Sequence, residues 1–462
     1  MTISMPQRLP LADLRGLVQV GHTRPRAWRL TQLERLEQLI DQNEGAILAA
    51  LAADLGKPPL EAYFEVVAVR SELKLAQRQL GRWMAPRRAP LPLAQRPGRA
   101  EVIPEPLGCV LIIGPWNYPF SLTLQPLVSA LAAGNTAVLK PSEHAPHTSS
   151  LIAELVGLHL DPAVVRVVEG DGRVAAALLQ EPFDHIFFTG GERVGRLVMA
   201  AAAEQLVPVT LELGGRSPAI VLADADLPTT ARRLVWGKGL NAGQTCIAPN
   251  HLLVEEGVRT SLTEHLEEEI RRSYGDDPLA SPDLARIVNR AQYARLSGLL
   301  EAARGRGQVL AGGQCDPAGL RIAPTVLKVD DPADPLLQDE LFGPLLPVLS
   351  VGGLPEAIEH IRRQPKPLAL YLFSQSAAAQ QAVLQGTSSG GVCFNDVVMQ
   401  VGVPDLPFGG VGKSGMGRYH GQAGFDTFSH RRSVLRRPFW LDLPFRYAPY
   451  SGRLGLVKRL LG

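Results

Sequence analysis

Leu33, Leu36, Leu39 and Ile40 recur at helical spacing, with Glu34, Arg35 and Gln38 between them. This pattern predicts that roughly the first 80 residues are helical. Gly56, Pro58 and Pro59 close the first stretch, and a second helix is expected over about 62–84. Pro86, Pro90, Pro92 and Pro97 then make a connection in which neither helix nor central strand fits. From Val110 the pattern changes to short apolar runs at 110–113, 136–139, 164–168, 185–188 and 207–211, separated by helical segments. Their starts lie 21 to 28 residues apart, about the length of a βαβ unit. An open parallel sheet with helices on both faces follows from that repeat, and ligands of such sheets bind beyond the carboxyl ends of the strands. A second alternation begins near Pro218. It has strands at 219–222, 251–255, 345–349, 368–373 and 391–394, a helix at 227–240 and a loop at 241–248. The fold class predicted is α/β with two such domains. Internal repeats and low-complexity segments are not found.

Composition narrows the choice of function. The 462 residues are 45% hydrophobic, which excludes a disordered chain. The net charge of +2 argues against nucleic acid as a partner. That charge is unevenly spread. Residues 431–462 hold eight basic side chains against the single Asp442, a local +7 that leaves −5 for residues 1–430. At the very end, Leu454, Leu456, Val457, Leu460 and Leu461 with Lys458 and Arg459 make a short basic amphipathic stretch. The N-terminus carries Arg8, Asp13 and Arg15 and does not read as a signal peptide. The apolar window 122–139 is broken by Gln125, Pro126 and the Gly134-Asn135 turn, so no transmembrane segment is expected. The chain reads as soluble and cytoplasmic. Four scattered cysteines (Cys109, Cys246, Cys315, Cys393) with no CxxC pair argue against a disulfide scaffold and against a structural metal site.

Two tempting motifs fail on context. Gly410 to Gly415 fits GxGxxG, but Pro404 and Pro407 forbid the strand that should precede it. A P-loop in the same stretch would need glycine at Pro407. Gly386 to Gly390 fits GxSxG, yet a helical segment precedes it and a strand follows, the reverse of a nucleophile elbow. His144 and His147 are the closest histidine pair, and Pro146 lies between them without a third ligand.

Four other segments carry chemistry together: Gly114-Pro115-Trp116-Asn117-Tyr118-Pro119-Phe120 directly after a buried strand, Gly134 to Glu143, Leu211 to Pro218, and Asn241-Ala242-Gly243-Gln244-Thr245-Cys246. Cys246 sits in a polar, glycine-containing loop where a thiol is able to face a cleft, and activation by nearby helix ends or cations is expected of it. Cys109 and Cys393 lie in or beside apolar runs and read as buried hydrophobes, and Cys315 as a surface thiol. Glu212 stands 34 residues before Cys246, between Leu211 and Leu213, where desolvation raises a carboxyl pKa.

Taken in order, these segments resemble the aldehyde dehydrogenase superfamily, most closely its class 3 members, over about residues 27–435. Phe188-Thr189-Gly190-Gly191, Pro407 to Gly412 and Phe428-Ser429-His430-Arg431-Arg432 strengthen the likeness. The resemblance implies a Rossmann-like cofactor domain (1–82 and 101–211), a second α/β catalytic domain (212–395), a small oligomerisation arm (84–100 and 425–435) and a basic tail (436–462). It implies NAD(P)-dependent oxidation of aldehydes to acids by a homodimer. By the same carry-over Cys246 is the nucleophile and Asn117 the oxyanion donor. Glu212 is the general base for hydrolysis of a thioester, and Glu340 is a second carboxylate that also fits that task. Lys140 and Glu143 would bind the adenosine ribose, Gly190, Gly191 and Gly195 the pyrophosphate, and Trp116, Glu340 and Phe342 the nicotinamide end. Glu143 favours NAD by repelling a 2′-phosphate, while class 3 resemblance leaves NADP open. Two positions depart from the family pattern: Gly191 where serine is common, and Asp339 where glutamate is usual. Tyr118, Leu122, Trp236, Leu240, Ile247 and Phe394 are candidates for an apolar pocket that suits a medium-chain aliphatic or aromatic aldehyde. Two rival activities use the same residues. In one, a CoA thiol takes the acyl group; in the other, Cys246 acts as a hydrolase without cofactor.

Overall fold

The computed structural model describes residues 11–92, 95–442 and 446–461. The expectations placed on residues 1–10, including the start of the cofactor domain, lie outside the described residues. So do those on Leu443, Pro444, Phe445, Gly462 and the side chains of Leu456, Leu460 and Leu461. Three helices open the described chain: Leu11–Gln19, Arg26–Leu55 and Pro59–Met84. Gly56, at φ +62°, ends the second in the left-handed conformation that glycine takes without penalty. Pro59 begins the third, three residues earlier than its apolar pattern indicates, because a first-turn proline gives up no hydrogen bond. Leu33, Leu36, Leu39 and Ile40 pack with Val66, Val69 and Leu73 and with Phe120 and Leu124 in one core.

The first sheet has the strand order Gly415–Met416, Val209–Leu213, His185–Gly190, Cys109–Ile113, Thr136–Lys140, Val165–Val167. All its pairings are parallel except that of Gly415–Met416, which comes back from beyond the second sheet to lie against Leu211 and Glu212. The chain order reverses at Cys109–Ile113, so the loops after this strand and after His185–Gly190 flank the crevice where such sheets bind ligands.

The second sheet runs Val309–Ala311, Thr325–Val329, Leu345–Val351, His251–Glu255, Pro218–Val221, Ala369–Phe373, Gly391–Phe394. The first two strands are absent from the sequence reading. Val309–Ala311 is a three-residue antiparallel edge with an irregular register, too short to show a period. Separate apolar cores cover the two faces of this sheet.

A third, antiparallel sheet joins Arg87–Ala89, Arg99–Pro106 and Ser429–Arg436. Residues 101–106 therefore lie with this small sheet, whereas the sequence reading grouped them with the cofactor domain. Pro104 and Pro106 fall past the end of Arg87–Ala89, where that flank of the strand is open and no N–H is required. The basic tail ends in the helix Leu454–Leu461. No helix among the described residues is long and apolar enough to cross a membrane.

Candidate active site

Two loops from different parts of the chain meet: one follows a strand of the first sheet, and the other runs from a helix into the amino end of the strand His251–Glu255 of the second. The first, residues 114–120, leaves the central strand Cys109–Ile113. A side chain at Gly114 would bring its Cβ to 2.0 Å from Thr123 Oγ1, so the loop turns closely over the following helix, Ser121–Ala133. The second follows the helix Leu227–Gly239. Asn241, Ala242 and Gly243 all take positive φ (51°, 51° and 75°), a run that two non-glycine residues adopt only when surrounding contacts hold them. Those contacts are present. The buried Gln244 side chain accepts from Val288 N at 2.9 Å and donates to Asn241 O at 2.9 Å and Arg286 O at 3.0 Å.

Asn117 Nδ2 donates to Gln244 O at 3.1 Å, and Asn241 Nδ2 donates to Asn117 O at 2.8 Å. The Tyr118 hydroxyl and Thr245 Oγ1 lie 2.7 Å apart. These bonds lace the two loops, and Cys246 comes next in the chain, half-buried. Asn117 uses one amide N–H on Gln244 and keeps the other for a ligand.

The thiol is not activated in the way its loop composition implies. Burial, then the carboxylates Glu340 and Glu212, push Cys246 up to about 12, opposed only by the backbone N–H groups of Cys246 and Ile247. Glu212 is buried at the strand Val209–Leu213, and neither of its oxygens has a hydrogen-bond partner among the described residues. Desolvation holds its carboxyl well above the usual range, with Arg418 as the one opposing charge. Glu340 is half-buried. Burial raises it to about 7 against the Gly215 N–H, Lys238 and Arg295. A Cβ at Gly214 would sit 2.0 Å from Glu340 Oε2, so the glycine pair after Glu212 makes room for the second carboxylate. A neutral Glu212, a Glu340 that ionises near pH 7 and a protonated thiol thus share the site.

Of the residues assigned to a cofactor, Trp116, Lys140, Glu143, Gly190, Gly191 and Gly195 lie at or after the ends of strands of the first sheet, whereas Glu340 and Phe342 come from the loop between Thr325–Val329 and Leu345–Val351 of the second. Lys140, buried at the end of its strand, donates to Glu143 Oε2 and to Pro141 O, each at 3.0 Å. Burial acts to raise Glu143, but its own backbone N–H and Lys140 outweigh it and keep the carboxylate ionised below the usual range. Gly191 precedes the helix Glu192–Glu204 without a side-chain cap, leaving backbone N–H groups for an anion. A Cβ on Gly191 would meet nothing, so a serine fits there without strain. At Gly195 a Cβ would approach Leu213 Cδ2 to 2.7 Å, and at Gly190 it would approach Phe188 Cζ to 2.5 Å. Gly195 thus allows the helix to pack closely on the sheet, and Gly190 leaves room for the Phe188 ring of its own strand. Trp116 and Phe342 stack edge to face with centroids 5.3 Å apart. An ionised carboxylate, an uncapped helix end and an aromatic pair are groups that fit the ribose, the phosphates and the ring of a dinucleotide.

The proposed pocket residues do not form one surface. Tyr118 joins the laced loops, and Leu240 and Ile247 belong to the core on the Cys246 side of the second sheet. Leu122 packs on the core of the first sheet. Trp236 keeps 37% of its surface exposed. Phe394 packs on the core of the opposite face of the second sheet, because side chains alternate along Gly391–Phe394 and its neighbour Cys393 takes the Cys246 side. Phe394 is thereby separated from Ile247 by the sheet itself.

Several polar groups of the site went unread in the sequence. Lys57, Glu61 and Glu65 anchor both loops, and Lys238 lies buried near Glu340. A signal existed. Glu61, Glu65 and Glu72 recur at helical spacing among Ala62, Val66, Val69 and Leu73, and carboxylates on an apolar stripe need buried partners.

A doubly wound first sheet with an uncapped helix end at its crevice, joined to a second α/β unit whose loop carries a half-buried thiol, fits the class of nucleotide-dependent enzymes. Comparison with known proteins carries this to a family. The sequence profile of the Aldehyde dehydrogenase family matches residues 21–434. Aldehyde dehydrogenase family 3 member H1 of Arabidopsis thaliana is 46% identical over 455 residues, covering 98% of this chain and 94% of that protein. A rat protein (Rattus norvegicus) named aldehyde dehydrogenase, dimeric NADP-preferring, is 45% identical over 416 residues, 90% of this chain and 91% of its own. The structure titled as a substrate-bound state of Staphylococcus aureus AldH superposes with a TM-score of 0.94 at 41% identity and covers 98% of both chains. The chain belongs to the aldehyde dehydrogenase family, in its class 3 branch. It is an enzyme that oxidises aldehydes with NAD(P).

Proposed function

We propose that Cys246 is the nucleophile, Asn117 the oxyanion donor and Glu212 the base that activates water, with the product a free carboxylic acid. The observation that carries this reading is the lacing of the Asn117 loop to the Cys246 loop, which ties the Asn117 amide to the carbonyl two residues before the thiol and commits only one of its N–H groups. A carboxylate takes the Cys246 proton, and the sulfur bonds to the aldehyde carbon. The carbonyl oxygen gains negative charge and accepts hydrogen bonds donated by the Asn117 Nδ2–H and the Cys246 backbone N–H. NAD(P), when bound, would supply the hydride acceptor needed for the thiohemiacetal to become a thioester, held by Trp116, Lys140, Glu143 and the Gly190–Gly195 turn. Water gives a proton to the ionised form of Glu212 and adds to the thioester carbon, the C–S bond breaks, and the departing thiolate takes that proton to restore the thiol. Glu340 lies near enough to raise the thiol and is the alternative base.

We assign Lys140 and Glu143 to the adenosine ribose, Gly190, Gly191 and Gly195 to the pyrophosphate, and Trp116, Glu340 and Phe342 to the nicotinamide end. Tyr118, Leu240 and Ile247 supply apolar surface on the Cys246 side, which suits a medium-chain aliphatic or aromatic aldehyde. The cofactor unit comprises 1–82 and 101–211 apart from the strand Arg99–Pro106, and the catalytic unit 212–395. The antiparallel sheet forms the arm of a homodimer, a reading supported by the dimeric rat relative. A sedimentation mass of twice 49.8 kDa is expected, and a monomer at micromolar concentration would overturn the dimer. Four unbridged cysteines suit a reducing compartment such as the cytoplasm.

An aldehyde panel assayed with both cofactors, with and without CoA, tests the activity. Oxidation of apolar aldehydes to acids is expected, and acyl-CoA as the main product would favour the thiol-acceptor reading. In the same panel Glu143→Gln should shift preference toward NADP. Removing a carboxylate from the place of a 2′-phosphate is worth roughly 1–2 kcal/mol, about 10-fold in the ratio of kcat/KM values. An unchanged ratio would detach Glu143 from the ribose.

A further inference from the structure

We infer that Lys57 is a positioning residue for the Asn117 amide, held between two helices and acting through the loop backbone. The inference rests on the reading of Asn117 as oxyanion donor. Lys57 lies directly after Gly56, in the break between Arg26–Leu55 and Pro59–Met84. Its side chain has no exposed surface, nor has that of Glu65, to which Nζ donates at 2.5 Å. Nζ also donates to Asn117 O at 2.8 Å and stands 3.9 Å from the centroid of the Tyr118 ring. The three N–H bonds of the ammonium thus match three acceptors: a carboxylate, a loop carbonyl and an aromatic face.

Glu65 completes the clamp from the other end. Its Oε2 accepts from Phe120 N and Ser121 N at 3.0 Å and from Ser121 Oγ at 3.3 Å. One ion pair therefore holds the carbonyl of Asn117 and the amides of the residues three and four positions later. Residues 114–120 have no helix or strand of their own to fix them. On the facing loop, Glu61 Oε2 accepts from Asn241 N at 2.8 Å, and Asn241 donates in turn to the same Asn117 carbonyl.

A fully buried ion pair is a poor way to gain stability alone, since apolar residues of like volume often do as well. Its geometric effect is specific. With the carbonyl pinned by a charge-assisted bond and one amide N–H committed to Gln244, the remaining Asn117 N–H has one direction left. An oxyanion donor displaced by about 1 Å loses on the order of 100-fold in rate.

Lys57→Met tests this, because it removes the ammonium and keeps an unbranched chain. Aldehyde kcat/KM should fall about 10- to 100-fold, chiefly in kcat. Alkylation of Cys246 by iodoacetamide and the dissociation constant of NAD should stay within about twofold, since neither needs the Asn117 donor. In an Asn117→Ala background, Lys57→Met should cost nothing further, as expected for groups acting as one unit. Losses that multiply, or alkylation that slows in step with kcat, would overturn the inference in favour of a general structural role. A wild-type rate in Asn117→Ala would sink the oxyanion reading itself, whereas a slow Asn117→Ala with a fast Lys57→Met would sink only the role of Lys57. If uncompensated Glu65 prevents folding, Lys57→Met with Glu65→Gln is measured by the same criteria.

Discussion

Cys246→Ala is expected to lower aldehyde oxidation by roughly 10⁴-fold or more while leaving cofactor binding intact. Loss of a nucleophile removes the covalent route, and the remaining donors stabilise an oxyanion that no longer forms. The cofactor contacts assigned to Lys140, Glu143 and Gly191 lie along the other sheet and do not depend on the sulfur. The thiol is half-buried and held protonated, so its removal deletes no ion pair and should change Tm little. Cofactor titration by fluorescence and steady-state NADH formation check both halves. Cys109 lies fully buried and is likewise pushed up to about 12, by desolvation, and Cys315 and Cys393 are half-buried. Replacing any of these three should leave the reaction in place. Aldehyde oxidation surviving in Cys246→Ala would end the covalent mechanism.

Glu212→Gln is expected to stall the reaction after the thioester. A rapid-quench or stopped-flow experiment should show a burst of about one NADH per site, then a steady rate reduced about 10²- to 10⁴-fold. A carboxyamide cannot take the proton of water, and the acyl group stays on Cys246, visible as added mass. If Glu340 is the base instead, Glu340→Gln will show the burst and Glu212→Gln will not. The same substitution has an expected effect on stability of known sign. In the folded enzyme Glu212 is held neutral far above its unfolded pKa, with both oxygens unpartnered. Above about pH 4.3 the unfolded chain has lost this proton and the folded one keeps it. Stability therefore falls as pH rises toward the folded-state pKa, by about 1.4 kcal/mol per pH unit for this group. Glutamine escapes that loss. The Tm of Glu212→Gln should equal that of the parent near pH 4 and exceed it by a growing margin as pH rises. A parent more stable than the variant at pH 8 would mean that a partner ionises Glu212 in solution.

The sequence made both parallel sheets legible because their strands are apolar runs at near-constant spacing. Cys109–Ile113 and Thr136–Lys140 are buried at every position, as strands covered on both faces must be. Short strands were harder. Gly415–Met416 follows a glycine-rich turn and has no period of its own, and it becomes a strand only because Leu211 and Glu212 offer an edge. Val309–Ala311 is likewise an edge made by its partner.

Cys246, Glu212 and Asn117 stood out because motifs fix them in sequence, and motifs preserve the order of residues along loops. Their protonation did not follow from that order. A polar, glycine-containing loop implied an activated thiol. The fold buries that loop between two carboxylates and raises the thiol instead, since desolvation depends on what other segments cover. Phe394 failed as a pocket residue for a related reason: which face of a strand is which depends on register, and one position separates Cys393 from Phe394.

By itself, then, the sequence determined the two-sheet α/β architecture, the order of the loops and the candidates for the reactive residues. These are local properties of period, turn chemistry and motif. Tertiary structure alone decided which groups share the site, which of them carry protons and what holds them. Lys57 and Glu65 are eight residues apart in an N-terminal helical region, yet they fasten a loop some 60 residues later, which in turn meets one 127 residues beyond it. No periodicity records such a contact, because burial and pairing arise only when distant segments exclude water from the same place.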